Sequence, residues 1–405
     1  MVKKLRVGIL FGGRSGEHEV SLLSAASVLR AIDRHKFDVT PIGITREGRW
    51  LAAADADLLL HGDMNTGDLT TATRPLRAGD PSATPGAKLL HEGIPTLLVP
   101  EPRSTALSGN RGPGGQEKPL DVVFPVLHGT FGEDGTIQGL FELAGIAYVG
   151  SGVLGSAAGM DKDVMKRLFV QAGLPIVKHV TLLRADWEKD PRKAIAQVEK
   201  SLKYPLFVKP ANLGSSVGIT KVHGRSELAP AMSLAAGFDR KLVVEQGVGG
   251  PGVKPREFEV AVLGNDAPEA SLVGEIVPNK EFYDYESKYE SSENPSIPII
   301  PAKLTLAQSK QIRAMALAAF RACDCSGLAR VDFLMEPARD AKGRRIPKPR
   351  IFLNEINTMP GFTSISMYPK LWQASGLPYR KLIDRLISLA LERHREKQQT
   401  RFTKS

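Results

Sequence analysis

A strand–helix–strand pattern at the start of the chain restricts the folds open to it more than any other feature. The segments "LRVGILFGG" and "FDVTPIGIT" read as strands, and the residues between them carry one apolar face at helical spacing. That face consists of Leu22, Ala25, Ala26, Leu29 and Ile32. Alternating strands and helices continue to about residue 150 and a mixed region follows, which indicates an α/β domain with α+β domains after it.

Length and composition predict a globular protein of several domains. A chain of 405 residues suggests two or three domains at about 150 residues each. Its apolar runs stay below the ~18 residues of a membrane span, and no signal-peptide cleavage site follows the basic N-terminus. Cys323 and Cys325 are the only cysteines and are expected to be reduced thiols. The sequence therefore predicts a cytoplasmic protein with no membrane partner.

The charge balance favours an anionic ligand. The formal net charge is +10, but the excess is not gathered into one long block. Its densest run, at residues 393–404, is typical of a solvated helix end rather than a nucleic-acid arm. Positive charge alone leaves DNA, RNA and a nucleotide open as ligands.

Two apolar segments near the C-terminus each carry polar residues on one face. In "GLARVDFLM", Arg330 and Asp332 share a face because side chains alternate along a strand, and Glu355 and Asn357 do the same in "FLNEINTMPG". The polar, turn-rich segment between them predicts a long hairpin that gathers these residues. Such oxygen ligands suit Mg²⁺ beside substrate phosphates. An exposed strand face is the alternative, and the strongly apolar neighbours weigh against it.

A glycine- and serine-rich loop follows a strand that delivers Lys209. The loop contains Gly214, Ser215, Ser216 and Gly218, and its backbone N–H groups could form an anion site. It is not a Walker A loop, because the G-K-[ST] ending is missing and a strand follows it. Combined with Lys209 and the distant oxygen cluster, the loop predicts a nucleotide-phosphate site. An ordinary tight turn is the alternative.

Three further segments carry weaker signals. The loop "GGRSGE" lacks the G-x-G-x-x-G spacing of dinucleotide-binding folds. It is either a tight strand–helix turn or a loop in which Glu19, near the helix start, holds a substrate cation. Glu245, at the end of the strand "LVVEQ", is either an adenine-binding residue or a surface acid. The segment "EFYDYESKYESSENPS" is either an active-site lid or a surface loop with packed tyrosines.

Taken together, seven segments resemble those of the D-alanine–D-alanine ligases, a family of the ATP-grasp superfamily. They are "GGRSGEHEVSL", "LHGTFGEDGT", "GMDKDVMK", "FVKPANLGSSVGI", "FYDYESKY", "ARVDF" and "NEINTMPGFTSISMYP". The resemblance spans residues 6 to 390 approximately, and it implies a three-domain ATP-grasp architecture with an N-terminal Rossmann-like parallel-sheet domain. The expected domains are 1–150 for substrate, with an insertion at about 60–118, 151–246 as the central ATP-grasp subdomain, and 247–405 as the C-terminal subdomain with the metal and substrate sites.

The resemblance implies a nucleotide and metal site at matching positions. The expected ATP-binding residues are Lys162 and Lys209 at the phosphates, Gly214, Ser215 and Ser216 in the loop above them, Glu245 at adenine and Glu257 at ribose. The expected ligands of two Mg²⁺, with Mn²⁺ as an alternative, are Asp332, Glu355 and Asn357. The segment "GGPGVKP" lengthens the chain between Glu245 and Glu257. This departure from the family pattern weakens the match that assigns Glu257 to the ribose.

The resemblance also implies substrate positions and a reaction. The expected positions are Glu19 at the ammonium of the first D-alanine with His128 nearby, Arg330 and the Gly361 N–H at the oxyanion, Ser366 at the carboxylate of the second D-alanine, and Tyr289, Ser215 and Lys288 closing over the site. ATP would activate one D-alanine as an acyl phosphate, and a second would attack it through a tetrahedral intermediate. The dipeptide would serve peptidoglycan synthesis. We expect a homodimer with no nucleic-acid partner. The "YDYESKY" segment favours an amine acceptor over D-lactate and leaves D-serine open.

Overall fold

The computed structural model describes most of the chain. The described ranges are 3–52, 54–61, 108–111, 117–277, 297–340, 342–363 and 365–401. Most of the predicted insertion at about 60–118 lies outside them, and so does the whole tyrosine-bearing segment at 281–296. Within the described ranges, no helix has both the length and the apolar character needed to cross a membrane.

The described part of the chain alternates between strands and helices. In chain order its strands are β1 Leu5–Gly12, β2 Phe37–Ile44, β3 Trp50–Ala52, β4 Ser108–Arg111, β5 Glu117–Pro119, β6 Val122–Val126, β7 Ala147–Tyr148, β8 His179–Leu183, β9 Leu206–Pro210, β10 Thr220–Val222, β11 Lys241–Gln246, β12 Arg256–Gly264, β13 Glu269–Ala270, β14 Gly274–Val277, β15 Ile297–Ile299, β16 Gly327–Met335 and β17 Ile351–Asn357. Its helices are α1 His18–Ala31, α2 Ala54–His61, α3 Thr136–Leu143, α4 Val153–Met160, α5 Lys162–Gln171, α6 Arg184–Lys189, α7 Pro191–Ser201, α8 Arg225–Ala236, α9 Leu306–Ala322, α10 Met367–Ala374 and α11 Tyr379–Gln398.

The first sheet is mainly parallel, which confirms the α/β prediction for the start of the chain. Its strand order is β3-β2-β1-β6-β7, and β1 lies parallel to both β2 and β6. Strand β1 is central and buried over most of its length, because helices cover both faces of such a sheet. The carboxyl ends of β1 and β6 meet at one edge, so the loops that follow them lie side by side.

The second sheet is antiparallel and carries Lys209 and Glu245 on neighbouring strands. Its order is β10-β9-β11-β8. Helices α7 and α8 bury apolar residues such as Val198 and Met232 against it. The strand–loop–strand predicted around the glycine–serine loop is confirmed, since β9 and β10 pair antiparallel on either side of that loop.

The third sheet contains the predicted C-terminal hairpin. Its order is β15-β14-β12-β16-β17, with β13 paired to β12, and β16 and β17 are antiparallel. Helices α5 and α9 pack on one face, where Phe169 and Phe320 meet Val331 and Phe333. Because strand side chains alternate, the polar residues of β16 and β17 project from the opposite face. The domain boundaries themselves stay predictions.

Candidate active site

A cavity of about 450 Å³ lies on the polar face of the third sheet. The loops after β1 and β6 and the glycine–serine loop of the second sheet form its other walls. The sequence-predicted residues that line it are His128, Lys162, Gly214, Ser215, Ser216, Arg330, Glu355, Asn357, Gly361 and Ser366. Residues separated by more than 200 positions along the chain are therefore brought to one space.

The hairpin aligns its polar residues in register. Arg330 pairs with Asn357, and Asp332 pairs with Glu355. Glu259 on β12 lies opposite Asp332 from the other side. Arg330 donates to both carboxylate oxygens of Asp332, at 2.8 Å and 2.7 Å, and its Nε lies 3.2 Å from Glu259 Oε2. Burial lowers the pKa of Arg330, but the charges of Asp332 and Glu259 outweigh that effect and hold the pKa well above its ordinary value.

The hairpin residues do not by themselves make a carboxylate-rich metal cage. Among the residues that the structure describes, no group of three or more His, Cys, Asp or Glu side chains is arranged to hold a metal ion. The predicted set has two carboxylates and one carboxamide, and Asp332 has both oxygens on Arg330. The metal ligands therefore stay a prediction.

Lys209 and Glu245 form a buried ion pair behind the cavity wall. Lys209 Nζ lies 2.7 Å from one Glu245 carboxylate oxygen, and Lys166 Nζ lies 2.8 Å from the other. Burial raises the pKa of Glu245, but the two ammonium groups outweigh it and hold the pKa well below its ordinary value. Glu245 is thus a buried anion and not the surface acid that the sequence left open.

Lys162 connects helix α5 to the glycine–serine loop. Asp161 caps α5 by accepting the backbone N–H groups of Asp163 and Val164. Lys162 Nζ donates to the Leu213 carbonyl oxygen at 2.6 Å. Burial lowers its pKa, because the buried site disfavours the charged form. The lysine therefore reaches the base of the loop that the sequence predicted for phosphates.

The glycine–serine loop has an unusual backbone. Ser215 and Ser216 have φ values of 49° and 61°, and Gly218 has 70°. Non-glycine residues adopt this left-handed region at a cost, and such residues concentrate at functional sites. At Gly214 a Cβ atom would lie 2.3 Å from Glu17 Oε1, so a larger residue there would displace the Glu17 carboxylate.

The structure corrects the position predicted for the cation-binding acid. The side chain of Glu19 is 52% exposed, pairs with Arg46 and lies outside the cavity lining. Glu17, just before α1, is buried and lines the cavity. Positions two apart at a helix start point about 200° away from each other, so only one of the two acids can face the site.

His128 lines the cavity with both ring nitrogens already bound. Nδ1 lies 2.9 Å from the Met359 carbonyl oxygen, and Nε2 lies 3.0 Å from Ser24 Oγ. The carbonyl can only accept, which assigns the proton to Nδ1. Burial lowers the pKa of His128 and keeps the ring neutral. This arrangement gives His128 a role in holding the loops together.

Gly361 and Ser366 lie together at the far end of the cavity. Ser366 Oγ accepts the Thr363 N–H at 3.0 Å, and a Cβ atom at Gly361 would lie 2.8 Å from the same oxygen. Glu257 lies on β12, on the same face as Glu259 but outside the cavity lining. The predictions for Tyr289 and Lys288 fall outside the described residues.

Four charged cavity residues were not predicted from the sequence. They are Glu17, Glu133, Glu259 and Lys370. The glycine-rich segment "HGTFGEDGT" after a buried strand was a signal for Glu133, and the alternation in "EFEVAV" was a signal for Glu259. Lys370 lies on helix α10, where its pattern does not distinguish it from a surface lysine.

A parallel sheet is followed in the chain by two antiparallel sheets. The glycine–serine loop of one, bound by Lys162, and the Arg330 hairpin of the other line the same cavity. This arrangement assigns the protein to the ATP-grasp ligases. Family models for the D-Ala–D-Ala ligase N-terminus and C-terminus match residues 6–151 and 168–388. The chain belongs to the D-alanine–D-alanine ligase family.

Individual relatives are similar to this chain along nearly its whole length. The chain is 47% identical to a D-alanine–D-alanine ligase of Geobacillus kaustophilus, covering 99% of this chain and 98% of that protein. A D-alanine–D-alanine ligase of Natranaerobius thermophilus is also 47% identical, over 98% of this chain and 97% of its own.

Two solved structures share the fold. The D-alanine–D-alanine ligase of Coxiella burnetii has a TM-score of 0.73 at 34% identity, covering 98% of this chain and 97% of its own. The VanG D-Ala:D-Ser ligase of Enterococcus faecalis has a TM-score of 0.71 at 35% identity, covering 96% of this chain and 100% of its own. The predicted ATP-grasp architecture is thereby confirmed.

Proposed function

We propose that this chain joins two D-alanine molecules to D-alanyl-D-alanine with ATP, and that ADP and phosphate are released. The observation that carries the proposal is one cavity shared by Lys162, the glycine–serine loop and the Arg330 hairpin. A carboxylate is a poor electrophile, so it needs activation as an acyl phosphate before an amine can attack. A single space for phosphate groups and for the amino acid serves that sequence of steps.

The nucleotide is proposed to lie between the second and third sheets. Lys162 and Lys209 would contact its phosphates under the loop of Gly214, Ser215 and Ser216. Lys209 would keep Glu245 oriented toward adenine, since the two side chains are paired at 2.7 Å. Glu257 would bind the ribose, in line with its position on the cavity-facing side of β12.

Asp332, Glu355 and Asn357 are proposed to hold two Mg²⁺, with Mn²⁺ as an alternative. The fit rests on oxygen donors that share one face of two adjacent strands. Bound magnesium would neutralise charge on the phosphoryl groups.

Glu355→Gln should raise the magnesium concentration needed for half-maximal phosphate release. Glu336→Gln is the matched control, because Glu336 directly follows β16, the strand paired with that of Glu355, and pairs with the exposed Arg350. Equal magnesium dependence in the wild type and Glu355→Gln would remove Glu355 from the ligand set.

The first D-alanine is proposed to lie with its ammonium at Glu17, which replaces Glu19 in this role. Arg330 and the Gly361 N–H would face the oxyanion of the tetrahedral intermediate. Ser366 would bind the carboxylate of the second D-alanine. Ser215, Lys288 and Tyr289 would close over the site and limit hydrolysis of the acyl phosphate.

Phosphate release with a panel of D-amino acids and D-lactate tests the proposed function. We expect the highest rate, together with dipeptide formation, for D-alanine as both donor and acceptor. D-serine is the second candidate acceptor, because the VanG D-Ala:D-Ser ligase is 35% identical. Absence of phosphate release with every D-amino acid would contradict the proposal, and a higher rate with D-serine would change the acceptor.

The cellular setting follows from the proposed reaction. The dipeptide would supply peptidoglycan synthesis, and the enzyme would act in the cytoplasm as a homodimer. The net charge of +10 suits ATP and needs no nucleic-acid partner. Size-exclusion chromatography with light scattering tests the dimer, and a monomer at assay concentration would remove it.

A further inference from the structure

The loop after β6 and the loop after β17 meet at the backbone of one residue, Met359. His128 Nδ1 lies 2.9 Å from the Met359 carbonyl oxygen, and Glu133 Oε2 lies 3.3 Å from the Met359 backbone nitrogen. The same N–H is shared with Asn357 Oδ1 at 3.1 Å. Two side chains of the loop after β6 therefore bind the backbone N–H and the backbone carbonyl of one residue, Met359, in the loop after β17.

Glu133 also binds its own loop. Its Oε1 accepts the Gly129 N–H at 2.7 Å, so its two carboxyl oxygens hold two backbone donors from different domains of the fold. The residue is 6% exposed. Burial, together with the negative charge of Glu17, raises the pKa of Glu133 to about 8. An acid held at a cavity wall against such a desolvation cost is a candidate for a functional role.

A third contact fixes the other side of Gly361. The Phe362 N–H donates to Ser24 Oγ at 3.2 Å, and Ser24 is bonded in turn to His128. Gly361 thus lies between two residues, Met359 and Phe362, whose backbones are both held by the first domain. The direction of its N–H is set by the backbone on either side, and those two anchors hold that backbone.

We propose that Glu133 is a positioning residue for amide-bond formation, which directs the Gly361 N–H toward the oxyanion of the tetrahedral intermediate by holding Gly129 and Met359 together. The inference rests on the proposed function. A shift of about 1 Å at such a group can cost on the order of 100-fold in rate. An acyl phosphate that is attacked more slowly by the amine is lost to water, so phosphate is released without dipeptide.

Glu133→Gln tests this role, because glutamine keeps the shape but offers a single acceptor. Its amide nitrogen would face one of the two N–H donors without a lone pair, whereas the hydroxyl oxygen of a neutral acid can still accept. We expect dipeptide kcat to fall at least about tenfold. We also expect the KM for ATP to stay within about twofold and the ratio of dipeptide to phosphate to fall clearly below one.

Asp134→Asn is the matched control. Asp134 accepts the N–H groups of Phe131 and Thr136 in the same loop and has no contact with Met359 among the described residues. Its ratio of dipeptide to phosphate should equal that of the wild type.

An unchanged ratio in Glu133→Gln would overturn the inference, even if both rates fell together, because equal losses would indicate a role in folding alone. If Glu133→Gln does not fold, Glu133→Asp carries the same measurement, since the shorter carboxyl group cannot reach both the Gly129 and the Met359 N–H groups. An unchanged ratio there has the same meaning. Wild-type protein that releases no phosphate with D-alanine would contradict the proposed function instead, so the two failures are distinguishable.

Discussion

At the scale of single residues, the environment of an acid decides its role more than its place in a motif. Glu17 and Glu19 lie in one short segment, yet one is buried at the cavity and the other pairs with Arg46 at the surface. His128 likewise lies at the cavity, but its ring nitrogens are bound to Met359 and Ser24. Motif membership predicted the neighbourhood of these residues and not their contacts.

Glu17→Gln should raise the KM for D-alanine, because it removes the proposed charged partner of the substrate ammonium. A hydrogen bond between charged groups contributes about 1.5–3 kcal/mol, which corresponds to roughly ten- to hundredfold. Steady-state kinetics at saturating ATP measure it, and Glu19→Gln serves as the control with an unchanged KM. A larger effect from Glu19→Gln than from Glu17→Gln would restore the prediction made from the sequence.

Glu133 should make stability depend on pH in an unusual direction. Its pKa is raised from 4.5 to about 8 by burial and by Glu17, with Arg330 opposing. The folded state therefore holds a proton that the unfolded state releases, and stability falls as pH rises from 4.5 to about 8. Denaturant unfolding from pH 5 to pH 8 measures the slope. Glu133→Gln should lose less stability over that interval than the wild type, and parallel curves would contradict the raised pKa.

At the scale of elements, local patterns predicted strands and loops but not their exact pairing. Alternation placed Arg330 and Asp332 on one face, and the hairpin has them there. The irregularity between Asp332 and Phe333 and the pairing of β16 with β12 had no sequence signal. The burial of Lys166 within helix α5 had no sequence signal either.

Lys166→Met should destabilise the protein, because Lys166 on α5 binds residues of the second and the third sheet. Its Nζ lies 2.8 Å from Glu245 and 3.3 Å from the Asn354 carbonyl oxygen. Removing one partner of a buried ion pair costs about 3–5 kcal/mol, and we expect the lower end since Glu245 keeps Lys209. Urea unfolding measures the loss. Arg167→Met, on the next residue and mostly exposed, should change the free energy of unfolding by less than about 1 kcal/mol, and equal losses would contradict the role of Lys166.

At the scale of the whole molecule, the helix α11 near the C-terminus completes the core beside the first sheet. Leu382, Ile383 and Leu386 of α11 belong to the same buried cluster as Val7 and Ile9 of β1. The first strand and the last helix of the described chain therefore share one core and depend on each other for their packing.

Arg393→Met should loosen this docking. Arg393 donates to Ser326 Oγ at 2.7 Å and to the Tyr148 carbonyl oxygen at 3.1 Å, and its guanidinium lies over the Tyr148 ring. We expect a loss of about 2 kcal/mol or more, because hydrogen bonds from a charged donor contribute about 1.5–3 kcal/mol each. Thermal unfolding measures it. Arg395→Met is the control on the exposed side of the same helix, and a comparable loss there would show that Arg393 has no special role.

The sequence by itself determined the parallel N-terminal sheet, the hairpin face with Asp332 and Glu355, and the strand–loop–strand around Ser215. These features follow from periods of two and 3.6 residues and from glycine-rich turns, which are properties of neighbouring residues in the chain. Only the tertiary structure decided that Glu17 faces the cavity, that Lys166 and Lys209 share Glu245, and that Glu133 binds Met359. Those contacts join residues from about 36 to more than 200 positions apart, and packing of whole sheets and helices sets them, so no local period can encode them.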